Sequence, residues 1–187
     1  MYRNRCRPAY SSEQLREMYA APHSSTQSSI IGPDHADRIE RTLRLAQRFI
    51  DPETDHTAAD LSCGDGRLID SFPFERAYKG DFAAGYELTG PIEETIELIP
   101  EVDVFFLCES LEHIDRPDEL LLALRLKAGK LILSTPICTW WDENIEHYWA
   151  WDVECVRKML RTAGWKPSDY EQTEAQPGYI FQIHAAV

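Results

Sequence analysis

Residues 58–66, with the sequence AADLSCGDG, place an acid and two glycines directly behind a short apolar run. A buried strand that turns through glycines into a helix presents free backbone N–H groups, and these attract anionic or polar parts of a ligand. A second acid, Asp81, lies 21 positions after Asp60, at the end of the next predicted strand. A carboxylate at that position is expected to bind ribose hydroxyls. The pattern therefore predicts a nucleoside-containing cofactor at the switch point of an α/β sheet.

Two other kinds of glycine loop match this stretch less well. A Walker loop ends in Gly-Lys-Ser or Gly-Lys-Thr, which is absent here, and the dinucleotide fingerprint requires a third glycine where Ile69 stands. A tight strand-to-helix turn that binds nothing remains the simplest alternative.

The composition is that of an ordinary globular domain with one core, since 43% of the 187 residues are hydrophobic and 27% are charged. The chain contains no apolar run of transmembrane length and no signal-peptide pattern, so we expect a cytoplasmic protein that does not enter a membrane.

The net charge of −13 disfavours nucleic acid as a partner, because a duplex-binding protein must neutralise phosphates. Arg3, Arg5 and Arg7 form a small basic tip that we expect to be mobile. The five cysteines have neither disulfide nor metal spacing, which predicts reduced thiols.

The hydrophobic pattern alternates between buried strands and amphipathic helices, as in a mainly parallel α/β sheet. The predicted strands span residues 57–61, 77–82, 102–108, 131–135, 168–174 and 179–187. The predicted helices span residues 12–20, 34–50, 66–72, 117–126 and 153–163. The last two strands are joined by the turn AQPG, which predicts an antiparallel finish. We expect residues 1–50 to form a helical segment or lid packed on a core domain of residues 51–187.

Four segments resemble the class I, Rossmann-like S-adenosylmethionine-dependent methyltransferases. They are ADLSCGDG (59–66), VDVFFLCESLEHIDRP (102–117), LKAGKLILSTP (126–136) and EHYWAWDVECVRKMLRTAGW (146–165). The second is particularly similar to the Leu-Glu-His pattern of ubiquinone-biosynthesis-type methyltransferases. The motifs occur in the order typical of the family, between Thr57 and Trp165.

The resemblance implies a three-layer Rossmann-like sandwich with a mostly parallel sheet, an antiparallel C-terminal strand and an abbreviated third-strand edge. It implies S-adenosylmethionine as the cofactor and S-adenosylhomocysteine as the product. Gly64 and Gly66 would line the methionine half of the cofactor, and Asp60 would face its ammonium group. By the same resemblance, Asp81 would bind the ribose hydroxyls. Ile92 and Glu93 would border the adenine, and the Cys108 backbone would lie near the methionine part.

The sequence departs from the family pattern at three points. Ser62 stands where the first glycine of the cofactor-binding motif is usual. Pro91 stands where an acid often binds the adenine amino group. Few residues separate Asp81 from the following block, so the helix usual there is predicted to be missing and the third strand short or absent. Adenine binding is therefore the part that the motifs define least.

The candidate catalytic residues come from two regions that follow strands. His147 and Tyr148 are the first candidates for a base or an orienting group, and His113 with Glu112 is the second. These residues lie near the tryptophan-rich stretch 140–151, which we expect to form the wall of the acceptor site. A hydrogen-bonded structural role is the alternative for His113, and a cap on the sheet edge is the alternative for the tryptophans.

Two further groups of residues are weaker candidates. His23 and His35 would reach the site only if the N-terminal segment folds over it, and solvent exposure is the simpler expectation for both. Asp142, Glu143, Asn144 and His147 form a local polar cluster, but a single local cluster is a poor metal site, and we predict no metal.

The leading functional hypothesis is a methyltransferase that acts on an oxygen or nitrogen atom of a small molecule, as a monomer or homodimer. A catalytically silent cofactor-binding or interaction module with the same fold is the alternative. A nicotinamide-dependent oxidoreductase is disfavoured by the missing third glycine. Methylation of DNA bases is disfavoured because Glu109-Ser110-Leu111 replaces the Pro-Pro-aromatic block and Leu107 precedes Cys108 where a Pro-Cys nucleophile is needed.

Overall fold

The computed structural model describes residues 1–19, 33–140, 142–176 and 179–187. The strands are β1 (Arg3–Arg5), β2 (Thr57–Asp60), β3 (Arg76–Asp81), β4 (Leu88–Thr89), β5 (Val102–Cys108), β6 (Ala128–Pro136), β7 (Trp149–Trp151), β8 (Pro167–Gln176) and β9 (Tyr179–Ala186). Seven of them form one sheet in the order β4-β3-β2-β5-β6-β9-β8. The strands from β4 to β6 run parallel, whereas β9 and β8 are antiparallel to their neighbours.

The described residues form five α-helices, of which all but the first cover the two faces of the sheet. They are α1 (Ser12–Met18), α2 (Pro33–Phe49), α3 (Ile92–Thr95), α4 (Pro117–Lys127) and α5 (Val153–Thr162). Successive side chains of β5 point to opposite faces, so Phe105 packs with α4 and α5 while Phe106 packs with α2. This central strand is apolar at every position except Asp103, because both of its faces are buried. The predicted α/β sandwich is confirmed, including the short third-strand edge, where β4 has two residues.

The ends of α5 follow the capping rules that the sequence predicts. The Asp152 carboxylate accepts a hydrogen bond from the Cys155 backbone N–H at 2.8 Å, and this satisfies a donor of the first turn. Gly164 follows the helix with φ +88°, a conformation that other residues adopt only with strain. No helix in the described part of the chain is long and apolar enough to cross a bilayer.

The helix predicted after the glycine turn, at residues 66–72, is absent, and a single 3-10 turn over Ile69–Ser71 replaces it. Pro73 forces the preceding residue into an extended conformation, and Phe72 has φ −114° and ψ 143°. Phe72 packs its ring 5.6 Å from that of Phe106, so aromatic side chains cover this part of the sheet face. The backbone N–H groups of the glycine turn therefore do not lie at a helix N-terminus, and that part of the prediction is wrong.

The N-terminal residues expected to be a mobile basic tip form β1 instead. This strand pairs antiparallel with β7, with Arg3 opposite Trp151 and Arg5 opposite Trp149. The Arg3 guanidinium lies 4.4 Å from the centre of the Trp149 ring and 2.6 Å from the Asp118 carboxylate. Acidic and aromatic partners on the core thus hold the arginines in place.

Candidate cofactor and acceptor site

A cavity of 1590 Å³ opens where the parallel strands end at their carboxyl termini. Every predicted site residue except Gly66 lines it. These residues are Asp60, Ser62, Gly64, Asp81, Ile92, Glu93, Cys108, His113, His147 and Tyr148. The structure therefore brings the predicted cofactor residues and the predicted catalytic residues to one space.

The glycine turn after β2 leaves its inner side open. Gly64 has φ +57°, and no atom lies within 4 Å of the position that a Cβ would occupy. Its backbone N–H donates to Oδ2 of Asp81 at 2.9 Å, and the Ala83 N–H donates to Oδ1 of the same carboxylate at 2.9 Å. Gly66 serves the turn itself, since its N–H donates to the Cys63 carbonyl at 2.8 Å. A Cβ at Gly66 would lie 3.3 Å from Asp70 Oδ2.

Asp60 lies at the end of β2 and is 4% exposed. Burial raises the pKa of its carboxyl to about 8, although the Ser62 backbone N–H donates to it at 3.2 Å. A carboxyl group in this state is neutral at pH 7 in the free protein. A ligand cation placed beside it would favour the charged form.

The serine that replaces the first motif glycine fits without strain. Among the described residues, Glu109 alone has a positive φ and is not glycine, so Ser62 adopts an ordinary backbone conformation. The Ser110 hydroxyl lies 2.8 Å from the Ser62 hydroxyl and 2.9 Å from the Cys108 carbonyl oxygen. The serine pair thus joins the loops that follow β2 and β5 at the cavity wall.

Glu109 adopts a left-handed conformation, with φ 51°, immediately after β5. Its carboxylate accepts hydrogen bonds from the Tyr179 hydroxyl and Arg38 Nη1, both at 2.7 Å, and from the Ser134 hydroxyl at 3.0 Å. These partners come from β9, α2 and β6. Strained backbone of this kind persists only when its surroundings hold it, and it is concentrated at functional sites.

The side of the cavity near α3 is apolar and acidic. Ile92 is 5% exposed and Pro91 is the residue before the helix, so both present carbon atoms to the cavity. Glu93 also lines the cavity, and burial raises the pKa of its carboxyl. Residues 82–87, between β3 and β4, contain no helix, as predicted from the short spacing.

His147 belongs to a hydrogen-bonded cluster on the opposite side of the cavity. Its Nδ1 lies 2.7 Å from Oδ2 of Asp142, and its Nε2 lies 3.0 Å from Nδ2 of Asn144. Burial opposes the charged imidazole, but Asp142 and the buried Glu112 together raise the pKa of His147. Burial also raises the pKa of Glu112, to about 8. The acids around His147 therefore favour its charged form, while burial favours the neutral form of Glu112.

His113 approaches the same cluster from the 3-10 turn Leu111–His113. Its Nδ1 lies 3.1 Å from the Glu146 carbonyl oxygen, and its ring packs edge-on against that of His147 at 4.9 Å. Burial lowers the pKa of His113 to about 3, so its imidazole is neutral.

Tyrosines contribute more to the cavity wall than the predicted tryptophans. Tyr10, Tyr19, Tyr148 and Tyr179 all line the cavity. Trp151 is 1% exposed, and its indole N–H donates to the Thr135 hydroxyl at 3.0 Å. Trp149 donates to the Ile114 carbonyl at 2.9 Å, so these two rings serve the structure and do not line the cavity. Trp140 does line it, and Trp141 lies outside the described residues.

The N-terminal segment also reaches the cavity. His35, which we expected in solvent, is half-buried in its wall, with Nε2 3.7 Å from Asp65 Oδ2. His23 lies outside the described residues. Arg38, Tyr10 and Ser110 were missed by sequence reasoning, because no local pattern marks residues that reach a site from other segments.

No family model matches the sequence, and no curated protein matches it. Solved structures do match the fold. The 1,6-didemethyltoxoflavin-N1-methyltransferase of Burkholderia thailandensis, with bound 1,6-didemethyltoxoflavin and S-adenosylhomocysteine, has a TM-score of 0.68 and 15% identity, covering 96% of this chain and 91% of that chain. The magnesium protoporphyrin IX methyltransferase of Synechocystis PCC 6803, with bound S-adenosylhomocysteine, has a TM-score of 0.65 and 15% identity over 94% of this chain and 93% of that chain.

A third match is the cyclase SpnF, with a TM-score of 0.64 and 13% identity over 98% of each chain. These similarities confirm the fold that the motifs predict, which is that of S-adenosylmethionine-dependent methyltransferases. At such identities they show the fold alone.

Proposed function

We propose that this protein is an S-adenosylmethionine-dependent methyltransferase that acts on an oxygen or nitrogen atom of a small molecule. The observation that carries the proposal is the open inner side of Gly64, which faces a cavity bordered by the carboxylates of Asp60 and Asp81. That arrangement offers close approach to the backbone for a nucleoside and negative charge for a cation. Two of the solved structures with this fold contain bound S-adenosylhomocysteine, which supports the same cofactor here.

Each cofactor-binding residue has a role that its contacts allow. Asp60 is proposed to pair with the cofactor ammonium, which would favour its charged form. Asp81 is proposed to accept the ribose hydroxyls, because a carboxylate has about four lone-pair positions and two are used by backbone N–H groups. Ile92 and Glu93 are proposed to border the adenine, and the Cys108 carbonyl to lie near the methionine part.

Methyl transfer mainly requires the acceptor atom to lie in line with the sulfonium carbon. His147 is proposed to orient the acceptor or take its proton, since Asp142 fixes the ring and the pKa of His147 is raised. Tyr148 is proposed as a wall residue, because burial raises the pKa of its phenol and its hydroxyl accepts a hydrogen bond from the Tyr10 N–H at 3.1 Å. His113 is proposed as a neutral neighbour that supports His147.

We also propose that residues 1–50 act as a lid-bearing segment on a core of residues 51–187. Leu15, Met18 and Tyr19 from the region of α1 line the cavity, and Arg38 of α2 contacts Glu109. The segment therefore supplies one wall of the proposed acceptor site. A wall formed by a separate segment gives a route for the ligand to enter.

The alternative function is a cofactor-binding module without catalysis. It is less well supported, because a silent module has no need of a histidine whose ring is fixed by the Asp142 carboxylate at the acceptor side of the cavity. Calorimetric titration with S-adenosylhomocysteine tests the cofactor, and methyl transfer to a panel of hydroxyl and amine acceptors tests the reaction. Binding without turnover on any acceptor would favour the silent module, and loss of both would refute the proposal.

A further inference from the structure

Three side-chain atoms from two separate segments converge at the acceptor side of the cavity. One ligand atom from each of Glu112, His113 and His147 lies within 4.8 Å of the other two. Oε1 of Glu112 lies 3.7 Å from Nε2 of His113 and 4.0 Å from Nε2 of His147. Both segments are anchored, because Glu112 follows β5 and the Tyr148 backbone N–H donates to the Glu112 carbonyl at 2.8 Å.

Oε1 of Glu112 has no hydrogen-bond partner within the described part of the protein, and the residue is buried, with 1% of its surface exposed. Its other oxygen accepts a hydrogen bond from the Thr135 hydroxyl at 2.9 Å, which fixes the orientation of the carboxylate. A buried polar atom without a partner lowers the stability of the fold, and a bound ligand at this oxygen would remove that cost.

The partners of the two histidines fix the protonation of both rings. Nδ1 of His113 faces the Glu146 carbonyl oxygen and Nδ1 of His147 faces the Asp142 carboxylate, so each Nδ1 carries the hydrogen. In the neutral form of each ring the lone pair is therefore on Nε2, and Nε2 of His147 lies 3.0 Å from the amide donor Nδ2 of Asn144. Metal-binding histidines are typically held in this way, with the second ring nitrogen donating to a carbonyl or a carboxylate.

We propose that Glu112, His113 and His147 bind a divalent transition-metal ion whose open coordination positions face the cavity. Two imidazoles and one carboxylate suit ions such as Zn²⁺, Co²⁺ or Fe²⁺ and leave room for exogenous ligands. Ligand atoms about 2.0–2.2 Å from an ion lie roughly 3.0–3.5 Å apart. The observed separations are longer, so binding would bring pairs of ligand atoms closer by up to about 1.3 Å. Asn144 would give up its contact with Nε2 of His147.

The site differs from the local cluster considered in the sequence. Asp142 is not a ligand here, because its carboxylate accepts from His147 Nδ1 and from the Asn144 backbone N–H at 2.9 Å. The expectation of no metal arose from residues 142–147 alone. The proposed site gains its carboxylate and one imidazole from residues 112 and 113, which the fold brings to the same place.

The ion implies a class of acceptor, an inference that rests on the proposed methyltransferase function. An open position on a divalent ion binds oxygen donors and lowers the pKa of a bound hydroxyl group. The acceptor would therefore be a hydroxyl compound whose oxygen binds the ion and releases its proton to water. That oxygen would then form the bond to the methyl carbon as the carbon–sulfur bond breaks, releasing S-adenosylhomocysteine. His147 would act by orienting the acceptor through the metal.

The test is titration of the chelator-treated protein with Co²⁺, monitored by visible absorption, and with Zn²⁺ by calorimetry. We expect one ion per chain and at least a tenfold loss of affinity in Glu112→Gln and in His147→Ala. His113→Gln is a second variant, because the His113 side chain is 24% exposed and its loss is better tolerated. His56→Ala is the matched control, since the His56 side chain is 48% exposed and does not line the cavity, so the metal affinity of this variant should equal that of the native protein.

Three outcomes would overturn the metal site. The first is no stoichiometric binding, the second is equal binding by all variants, and the third is a thiolate-to-cobalt absorption band that reports binding at the cysteines. S-adenosylhomocysteine affinity is measured in parallel on every variant and shows whether each is folded. If the native protein binds the metal but not S-adenosylhomocysteine, the proposed function is refuted and the metal site is still supported. If chelators do not change turnover, the proposed role of the metal in catalysis is refuted, and the proposed methyltransferase function is still supported.

Discussion

The backbone N–H of Gly64 donates to the Asp81 carboxylate at 2.9 Å, so the acid at the end of β3 holds the glycine turn at the end of β2. The Tyr86 hydroxyl also donates to the Gly64 carbonyl. With no α-helix following the turn, these two side-chain contacts organise it. The same carboxylate that is proposed to bind the ribose thus also shapes the loop beneath the methionine part.

Replacement of Gly64 by valine should abolish binding of S-adenosylhomocysteine. The branched side chain would fill open space at the cavity wall and would be strained at φ +57°. Gly85→Val is the matched control, because Gly85 also has a positive φ and open space around it but does not line the cavity. Calorimetry should show lost affinity for the first variant alone, while thermal unfolding reports the strain in both. Equal affinities would contradict the placement of the cofactor.

Affinity for S-adenosylhomocysteine should rise with pH between about 6 and 8. Burial raises the pKa of Asp60 to about 8, so the free protein carries a proton there that the ligand ammonium displaces. Proton release on binding makes the affinity increase by at most about tenfold per pH unit until the free carboxyl is ionised. Titrations at several pH values should show this slope in the native protein and a flatter profile in Asp60→Asn. The same slope in both proteins would remove Asp60 from the ammonium site.

Replacement of His147 by alanine should lower turnover by about 10²-fold or more, whether His147 takes the acceptor proton itself or holds the proposed ion that lowers the pKa of the acceptor. Affinity for S-adenosylhomocysteine should change little, because the cofactor contacts lie on the other side of the cavity. Tyr148→Phe is the comparison, since it removes one hydroxyl that accepts from Tyr10 and should retain most turnover. Steady-state kinetics with parallel calorimetry separate the two effects. Equal losses of turnover and affinity in His147→Ala would argue against a role in catalysis.

Replacement of Asp152 by alanine should destabilise the fold by about 1–3 kcal/mol. The carboxylate caps α5 through Cys155 and also accepts the Tyr2 backbone N–H at 2.6 Å. Ser11→Ala is the matched control, because Ser11 caps α1, a helix with no buried residues. Thermal unfolding should show a lower Tm for Asp152→Ala and a nearly unchanged Tm for Ser11→Ala. Similar shifts in both would mean that Asp152, with its cap on α5 and its contact with Tyr2, stabilises the fold no more than an exposed cap does.

Buried strands and capped helices were predictable because their determinants are local. Val102–Cys108 is observed with the predicted bounds, since a strand covered on both faces is apolar at nearly every position. Asp152 caps the start of α5 with its side chain and Gly164 ends it, and both preferences belong to the residue types themselves. Asp60, Gly64 and Asp81 lie at one cavity because parallel strands end at one edge of a sheet.

The errors arose where distant segments decide the structure. The sequence Arg-Asn-Arg has no strand pattern of its own, and β1 exists because β7 offers it a partner. The helix expected after Gly66 is prevented by Pro73 and by the packing of Phe72 against Phe106. The left-handed conformation of Glu109 depends on partners from three other elements, so no local pattern indicates it.

Arg3 pairs with Trp151, a residue from the last quarter of the chain. During synthesis the first strand leaves the ribosome long before its partner exists, and contacts between such distant segments form slowly. The wall that joins Tyr10 to Tyr148 must therefore assemble after most of the sheet. In a nascent chain that has not yet reached Trp151 this pairing cannot form, so the acceptor side stays open to water.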